Sequence, residues 1–167
     1  MSESIEQRVK AFWQVNGAMP RPGVTSADLR SFEQRICRAL PADVAKFYLC
    51  VNGTVETTEW LFEAWPLEKV GSVPDVVTLF KGIPDYSDIA DTLPDASEYF
   101  AFADCMIWSQ VFAVRLGPSS GSTQVVWLSG SSYAVIAPTF DAFWNLYLSD
   151  PDAALFATNS VIKSRAG

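Results

Sequence analysis

The stretch LPADVAKFYLCVNG, residues 40–53, constrains the fold more than any other part of this 167-residue chain. A proline disfavours helical backbone at the residue before it, so a helix arriving from the N-terminal side must end by Leu40. Pro41 itself suits the first turn of a new helix, where its missing N–H leaves no hydrogen bond unmade. Asp43 sits in that turn and complements the helix dipole. Val44, Phe47, Tyr48 and Val51 then recur at i, i+3, i+4 and i+7, the spacing of one helical face. Gly53 can take the left-handed backbone that closes such a helix. Upstream, Thr25 with an acid three residues later, Asp28, marks a helix start, and Leu29, Phe32, Ile36 and Leu40 form its apolar stripe. Residues 26–53 are therefore expected to be two helices joined at a Leu-Pro corner, with apolar faces that need something to bury against.

The rest of the chain supplies it. Ile5, Val9, Phe12 and Trp13 share one face of an earlier helix that ends near Asn16-Gly17, and the prolines at 20 and 22 cannot continue it. Strands are expected within Trp60–Val70, at Val76–Phe80, and over Tyr99–Cys105 with Phe100 and Phe102 on one face. Val111–Leu116 and Gln124–Leu128 read as a hairpin around the turn-rich residues 117–122, and Ser132–Ala137 as a further strand. Thr139 can cap a last helix whose face is Phe140, Phe143, Trp144, Tyr147 and Leu148, stopped by Asp150-Pro151. A short helical turn within 152–160 and a frayed tail would follow. No internal repeat or long linker divides the chain. Helices, then strands, then a helix imply an α+β fold: N-terminal helices, a central mostly antiparallel β-sheet and a C-terminal helix in a single domain. The expected organisation is an N-terminal helix and linker (1–24), the domain proper (25–151) and a tail (152–167). Trp13, Trp65, Trp127 and Trp144 are expected in the core.

Composition narrows the chemistry. Hydrophobic residues make up 49% of the chain and aromatic residues 13%, which excludes a disordered protein. There is no histidine. That removes Ser-His-Asp and Cys-His nucleophile activation, the commonest zinc ligand and the commonest general base. No glycine-rich phosphate-binding motif is present, and no cofactor or metal is expected. Cys37, Cys50 and Cys105, odd in number and widely spaced, read as buried free thiols rather than a disulfide framework. The N-terminus has no apolar signal segment, and no stretch approaches the ~20 apolar residues a membrane helix needs. A cytoplasmic location without membrane contact is expected.

The charge is uneven. Residues 1–50 carry seven basic and five acidic groups, residues 51–114 two basic and eleven acidic, and residues 115–167 three of each, so the middle segment, at −9, carries the whole acidic excess behind the net charge of −7. Its densest part is DYSDIADTLPDASE, residues 85–98, where Asp85, Asp88, Asp91, Asp95 and Glu98 follow one another with no base between them. Such a segment is either a solvated loop that serves solubility or a surface for a basic partner, whose approach relieves the repulsion and speeds encounter. It disfavours nucleic acid, because phosphates are repelled. The spacing of a calcium-binding EF-hand loop is missing.

Several of these segments together resemble a known family. DLRSFEQRICRALPADVAKFYLCVNGT resembles the N-terminal signature of the SUKH superfamily (Smi/Knr-like domains): a helix carrying Phe-Glu, then Leu-Pro, then a helix ending in Asn-Gly. Phe32-Glu33, Leu40-Pro41, Phe47 and Asn52-Gly53 stand at the matching places. YFAFADC resembles the family's central strand, and IAPTFDAFWNLYLSDP its last strand and helix, so the likeness covers residues 25–151. It implies an α+β fold around a mostly antiparallel sheet. It also implies a role among bacterial immunity proteins, which neutralise toxins of polymorphic and contact-dependent systems, or among regulators of fungal cell-wall synthesis. The resemblance carries no catalytic residues over, and the acidic residues 81–98 look like an insertion relative to the family.

The functional expectation is a non-catalytic domain that binds a protein, most specifically an immunity protein that occludes a toxin's active site with an acidic surface. A regulatory or scaffolding module is the alternative. The expected interface is Asp85, Asp88, Asp91, Asp95 and Glu98, with an exposed aromatic anchor at Trp60 or Tyr86. The partner is expected to be a basic protein. A carboxylate hydrolase is the remaining alternative, with Asp104 as its buried acid. It would need a deep pocket holding two facing carboxylates.

Overall fold

The computed structural model describes residues 2–58, 60–117, 121–156 and the backbone of 162–163. Helix α1 (Ile5–Val15) starts on a capping box between Ser4 and Gln7 and buries Val9 and Trp13. A short strand β1 (Pro20–Pro22) leads to α2 (Ser26–Ile36), which opens on the expected box of Thr25 and Asp28. α2 stops four residues short of Leu40, because Cys37 turns left-handed at φ 57° and caps it. Cys37 is therefore exposed, against the expectation of a buried thiol; Cys50 is partly buried and Cys105 fully buried. Residues 38–41 then run to α3 (Ala42–Cys50), for which Pro41 is the N-cap rather than the first helical residue. The Glu33 carboxylate spans this corner, accepting the Leu40 N–H at 2.8 Å. Phe-Glu and Leu-Pro are thus two halves of one local brace.

α3 passes without a loop into β2 (Val51–Thr54), which pairs antiparallel with β1. Gly53 is left-handed as expected, at φ 77°, but it lies inside β2 and does not close the helix. Glycine is required there because a Cβ would overlap the Ala64 carbonyl oxygen. Asn52 accepts the Leu67 N–H at 2.7 Å. The Asn-Gly pair therefore holds the chain returning at 64–67 against the helices.

The main sheet comprises β3 (Glu63–Ala64), β4 (Gly71–Ser72), β5 (Tyr99–Cys105), β6 (Gln110–Arg115), β7 (Val125–Ser129), β8 (Ser132–Ala137) and β9 (Ile162–Lys163). Its order is β3-β5-β6-β7-β8-β9, with β4 also on β5, and the pairings are antiparallel. After β8, Thr139 caps α5 (Phe140–Ser149), and Asp150 caps the short α6 (Pro151–Leu155). α6 stands where a short helical turn within 152–160 is expected. The expected turn of the β6–β7 connection at 118–120, and the expected tail beyond Phe156 apart from β9, lie outside the described residues. Val76–Phe80, expected as a strand, is instead entered by a π-helical turn, Val73–Val77, capped by Ser72. Its β-branched residues pack as the buried side of that turn.

The sheet is covered on both faces. α1, α2, α3, α5 and α6 bury one face around Trp13, Phe47, Phe102, Phe140, Phe143 and Trp144. The other face is buried beneath residues 73–98. A bulge in β5 decides which side chain points where. Ala101 pairs with Ala113 and Ala103 with Phe112, so Phe102 is an extra residue. Before the bulge Phe100 faces the helices and Ala101 faces the second layer; after it Ala103 and Cys105 face the helices. Without that one-residue shift Asp104 would point into the aromatic core.

Candidate partner-binding surface

The acidic segment is a structural cover, not a solvated loop. Tyr86, Ile89, Leu93 and Ala96, spaced 3, 4 and 3 apart, are all buried against the second face of the sheet. α4 (Ile89–Thr92) is one turn of helix in this segment, followed by a tight 3₁₀ turn at Ala96–Glu98. With the apolar residues turned in, Asp85, Asp88, Asp91 and Asp95 turn out to solvent.

The five acids divide into two groups. Arg115, at the end of β6, reaches Glu98 at 2.7 Å and Asp95 at 3.3 Å. Its guanidinium is held above its ordinary pKa, first by the hydrogen bond to Glu98. Asp95 and Glu98 therefore have a base after all, brought from 17 residues beyond Glu98 by strand pairing. Among the described residues no cation forms an ion pair with Asp85, Asp88 or Asp91. Asp85 accepts the Ser87 N–H at 2.9 Å, which holds its carboxyl below the usual range.

The expected aromatic anchors fare differently. Tyr86 is fully buried and cannot be an exposed anchor. Its hydroxyl donates to the Trp108 carbonyl at 2.7 Å, and burial pushes its pKa up. An apolar ring between acids was turned inward because the segment needed an apolar side of its own. Trp60 is half-buried against the helical core, and its carbonyl accepts the Cys105 thiol at 3.2 Å. Burial pushes that thiol to about 12.

Between Trp60 and Asp85 lies the turn joining β5 to β6. Met106, Ile107 and Trp108 are all left-handed, at φ 53°, 52° and 66°, and none is glycine. Such backbone is costly for any L-residue and worst for a β-branched one. Asp104 holds the turn from below. It is 3% exposed, accepts the Trp65 indole N–H at 2.6 Å and lies 3.4 Å from the Trp108 N–H. Burial raises its pKa, and the Trp65 bond partly offsets that. Lys69 sits 4.3 Å from the Trp65 ring and pairs with Glu63 at 3.9 Å. The Trp108 ring stacks on Phe80 at 4.6 Å. The signal in the sequence was three large apolar residues in a hairpin connection that has no glycine or asparagine.

Glu63 does lie opposite Asp104 across the sheet. Both carboxylates have partners, Asp104 in Trp65 and the turn and Glu63 in Lys69. Clefts open elsewhere. One of about 360 Å³ is lined by Phe32, Arg35, Asn52, Leu67, Asp28 and Glu68, among others. There the Arg35 guanidinium donates to the Val70 carbonyl at 3.0 Å. Among the described residues no group of acids and thiols could hold a metal ion, and no helix is long and apolar enough to cross a membrane.

No curated protein matches the chain. The family comparison does find a match, and its span coincides with the braced part of the fold. It runs from Gly23, just before α2, through the Glu33–Leu40 and Asn52–Leu67 contacts and the sheet, into α5. The SMI1/KNR4 family (SUKH-1) matches residues 23–146, and the chain belongs to that family.

Proposed function

We propose that this protein is a non-catalytic binding domain of the immunity type, which neutralises a cognate bacterial toxin by occluding its active site with an acidic surface. Family membership supports a protein-interaction or immunity-type domain. The observation that carries the finer reading is the group Asp85, Asp88 and Asp91, without an ion pair among the described residues and presented on a cover whose apolar side is seated on the sheet. A seated acidic surface loses little entropy on docking and draws a basic partner to it. Asp95 and Glu98, already engaged by Arg115, belong to its rim, and Trp60 borders the same end of the sheet. A toxin that handles nucleic acid or nucleotides has a basic site that such a surface would fill. Against the competing hydrolase reading stands the engagement of Asp104 by Trp65 and the hairpin turn.

The test is to recover the protein from its own cells at low salt, identify what remains bound, and express that partner with and without this chain. Protection from the partner's toxicity, with association slowed several-fold by Asp85→Lys, Asp88→Lys and Asp91→Lys together, is the expected result. A partner that is harmless on its own would move the protein to the regulatory reading. An association rate unchanged by the triple reversal at low salt would remove the acidic surface from the interface.

A further inference from the structure

We infer that the strained tip of the β5–β6 hairpin is the apolar centre of this interface, and that it takes a protein segment presenting an aliphatic residue between lysines or arginines. The inference rests on the protein-binding reading above and names the chemistry of the partner.

Three loops meet at one end of the sheet. The hairpin turn at 106–109 is joined to the 80–86 loop through the Tyr86–Trp108 hydrogen bond and the Phe80–Trp108 stack. It is joined to the β7–β8 turn through the Ser129 hydroxyl, which donates to the Ser109 carbonyl at 2.9 Å. On its other side the Met106 N–H donates to the Leu61 carbonyl. At this end Ile83 is 92% exposed, Ile107 75%, Met106 45% and Leu61 44%. Single exposed aliphatics are ordinary on any protein. A group of them, three on left-handed backbone (Leu61, Met106 and Ile107), beside a partly exposed Trp-Phe stack, marks a surface that is kept for contact.

The charges decide the occupant. Asp85 is two residues from Ile83 and, with Phe80 and Lys81, lines a shallow cleft, so one cation stands beside the acids. Asp88 and Asp91 continue the acidic side. A second copy of this chain would bring the same acids against them, at a net charge of −7 per copy. An anionic membrane surface is repelled for the same reason. A basic segment with an apolar residue satisfies both the tip and its rim.

The test uses the whole ¹⁵N-labelled protein and three synthetic peptides of equal length: alternating leucine and lysine, alternating serine and lysine, and alternating leucine and glutamate. The Leu/Lys peptide is expected to shift amides at 80–88 and 105–109 and to bind roughly tenfold tighter than the Ser/Lys peptide, the size expected for burying one or two aliphatic groups. Ile83→Ser with Ile107→Asn should erase that advantage and leave Ser/Lys binding unchanged. Both sites are exposed, and asparagine tolerates the left-handed backbone. Equal binding of Leu/Lys and Ser/Lys, with shifts confined to 85–91, would overturn the apolar centre and leave the acidic surface standing. No shift at 80–91 with any peptide would overturn both. Leu/Glu binding as tight as Leu/Lys would overturn the basic partner, and a dimer that the double variant disperses would assign the tip to a second copy.

Discussion

The two faces of the sheet are covered by different means. On one, the sheet contributes Phe100, Phe102, Phe112 and Trp127, and five helices close over them. Trp144 stacks on Phe47 at 4.8 Å and meets Trp13, Phe62, Phe102, Phe140, Phe143 and Tyr147 edge-on. On the other, the sheet contributes Ala101, Val111, Ala113, Val126 and Leu128, with Tyr99 at the start of β5, and the chain over it holds no helix longer than the five-residue turn at Val73–Val77. The alanines and valines let a thin, irregular cover approach closely. The thick face carries the Glu33–Leu40 and Asn52–Leu67 braces. The thin face is free to carry acids, left-handed backbone and exposed aliphatics, because little of the fold depends on what its outer side displays.

Truncation at the centre of the thick face should have the largest effect. Trp144→Ala removes a fully buried ring shared by seven aromatic neighbours and is expected to cost about 3–5 kcal/mol. That is a large part of the 5–15 kcal/mol typical of a domain. Ile89→Ala, at the centre of the thin face, should cost roughly 2 kcal/mol, the low end for such a change, because a one-turn helix can settle into the space. Urea unfolding of the two variants checks the contrast, and equal losses would abolish it.

The thick face was the more legible in the sequence. Its helices carry 3.6-residue stripes and caps, its strands alternate, and Tyr99–Cys105 and Ser132–Ala137 stand where the pattern put them. Ends were misplaced where tertiary contacts decide them: Cys37 ends α2 early, and Gly53 serves a close approach instead of a cap. The thin face was less legible. Tyr86, Ile89, Leu93 and Ala96 do have a helical spacing, but the acids between them dominated the reading and hid it. Arg115 could not be assigned to Asp95 and Glu98 without knowing that β6 pairs with β5. The left-handed turn leaves no mark in the sequence beyond its lack of glycine.

Backbone strain at that turn gives a change of opposite sign. Ile107→Gly relieves left-handed backbone at an exposed site, at the cost of a more flexible unfolded chain. The balance should raise stability by about 0.5–1 kcal/mol while weakening partner binding. A variant that loses stability would show that Ile107 is held by packing, and the tip would then belong to the fold rather than to function.

Asp104 beneath the turn should leave its mark in pH dependence. Its folded pKa is raised by burial, so its contribution to stability is fully present below the ordinary carboxylate value of about 3.9 and is lost as pH rises through the folded value. Asp28 and Asp85 act in the opposite sense, since hydrogen bonds hold them low and their contributions fall away only at still lower pH. Asp104→Asn keeps an acceptor for the Trp65 indole and removes the charge. The stability of the natural protein relative to this variant should therefore decline as pH rises from about 4 toward neutrality. A difference that stays flat over that range would mean that the carboxylate is as well accommodated charged as neutral.

The smallest effect on stability should come from the acids themselves, and it bears most directly on the contrast between the faces. Asp85, Asp88 and Asp91 are exposed and without ion pairs among the described residues, so changing all three to lysine breaks no bridge. Away from buried features such changes stay within about 0.5 kcal/mol each. Asp85 gives up its bond to the Ser87 N–H, which water can replace. Relief of repulsion among acids should offset much of that loss. The melting temperature should hardly move, whereas association with a basic partner should slow several-fold at low salt and approach the natural rate at high salt, where screening removes the field. If the triple variant instead unfolds, the charges help hold residues 73–98 in place, and the thin face is not a neutral mount for them.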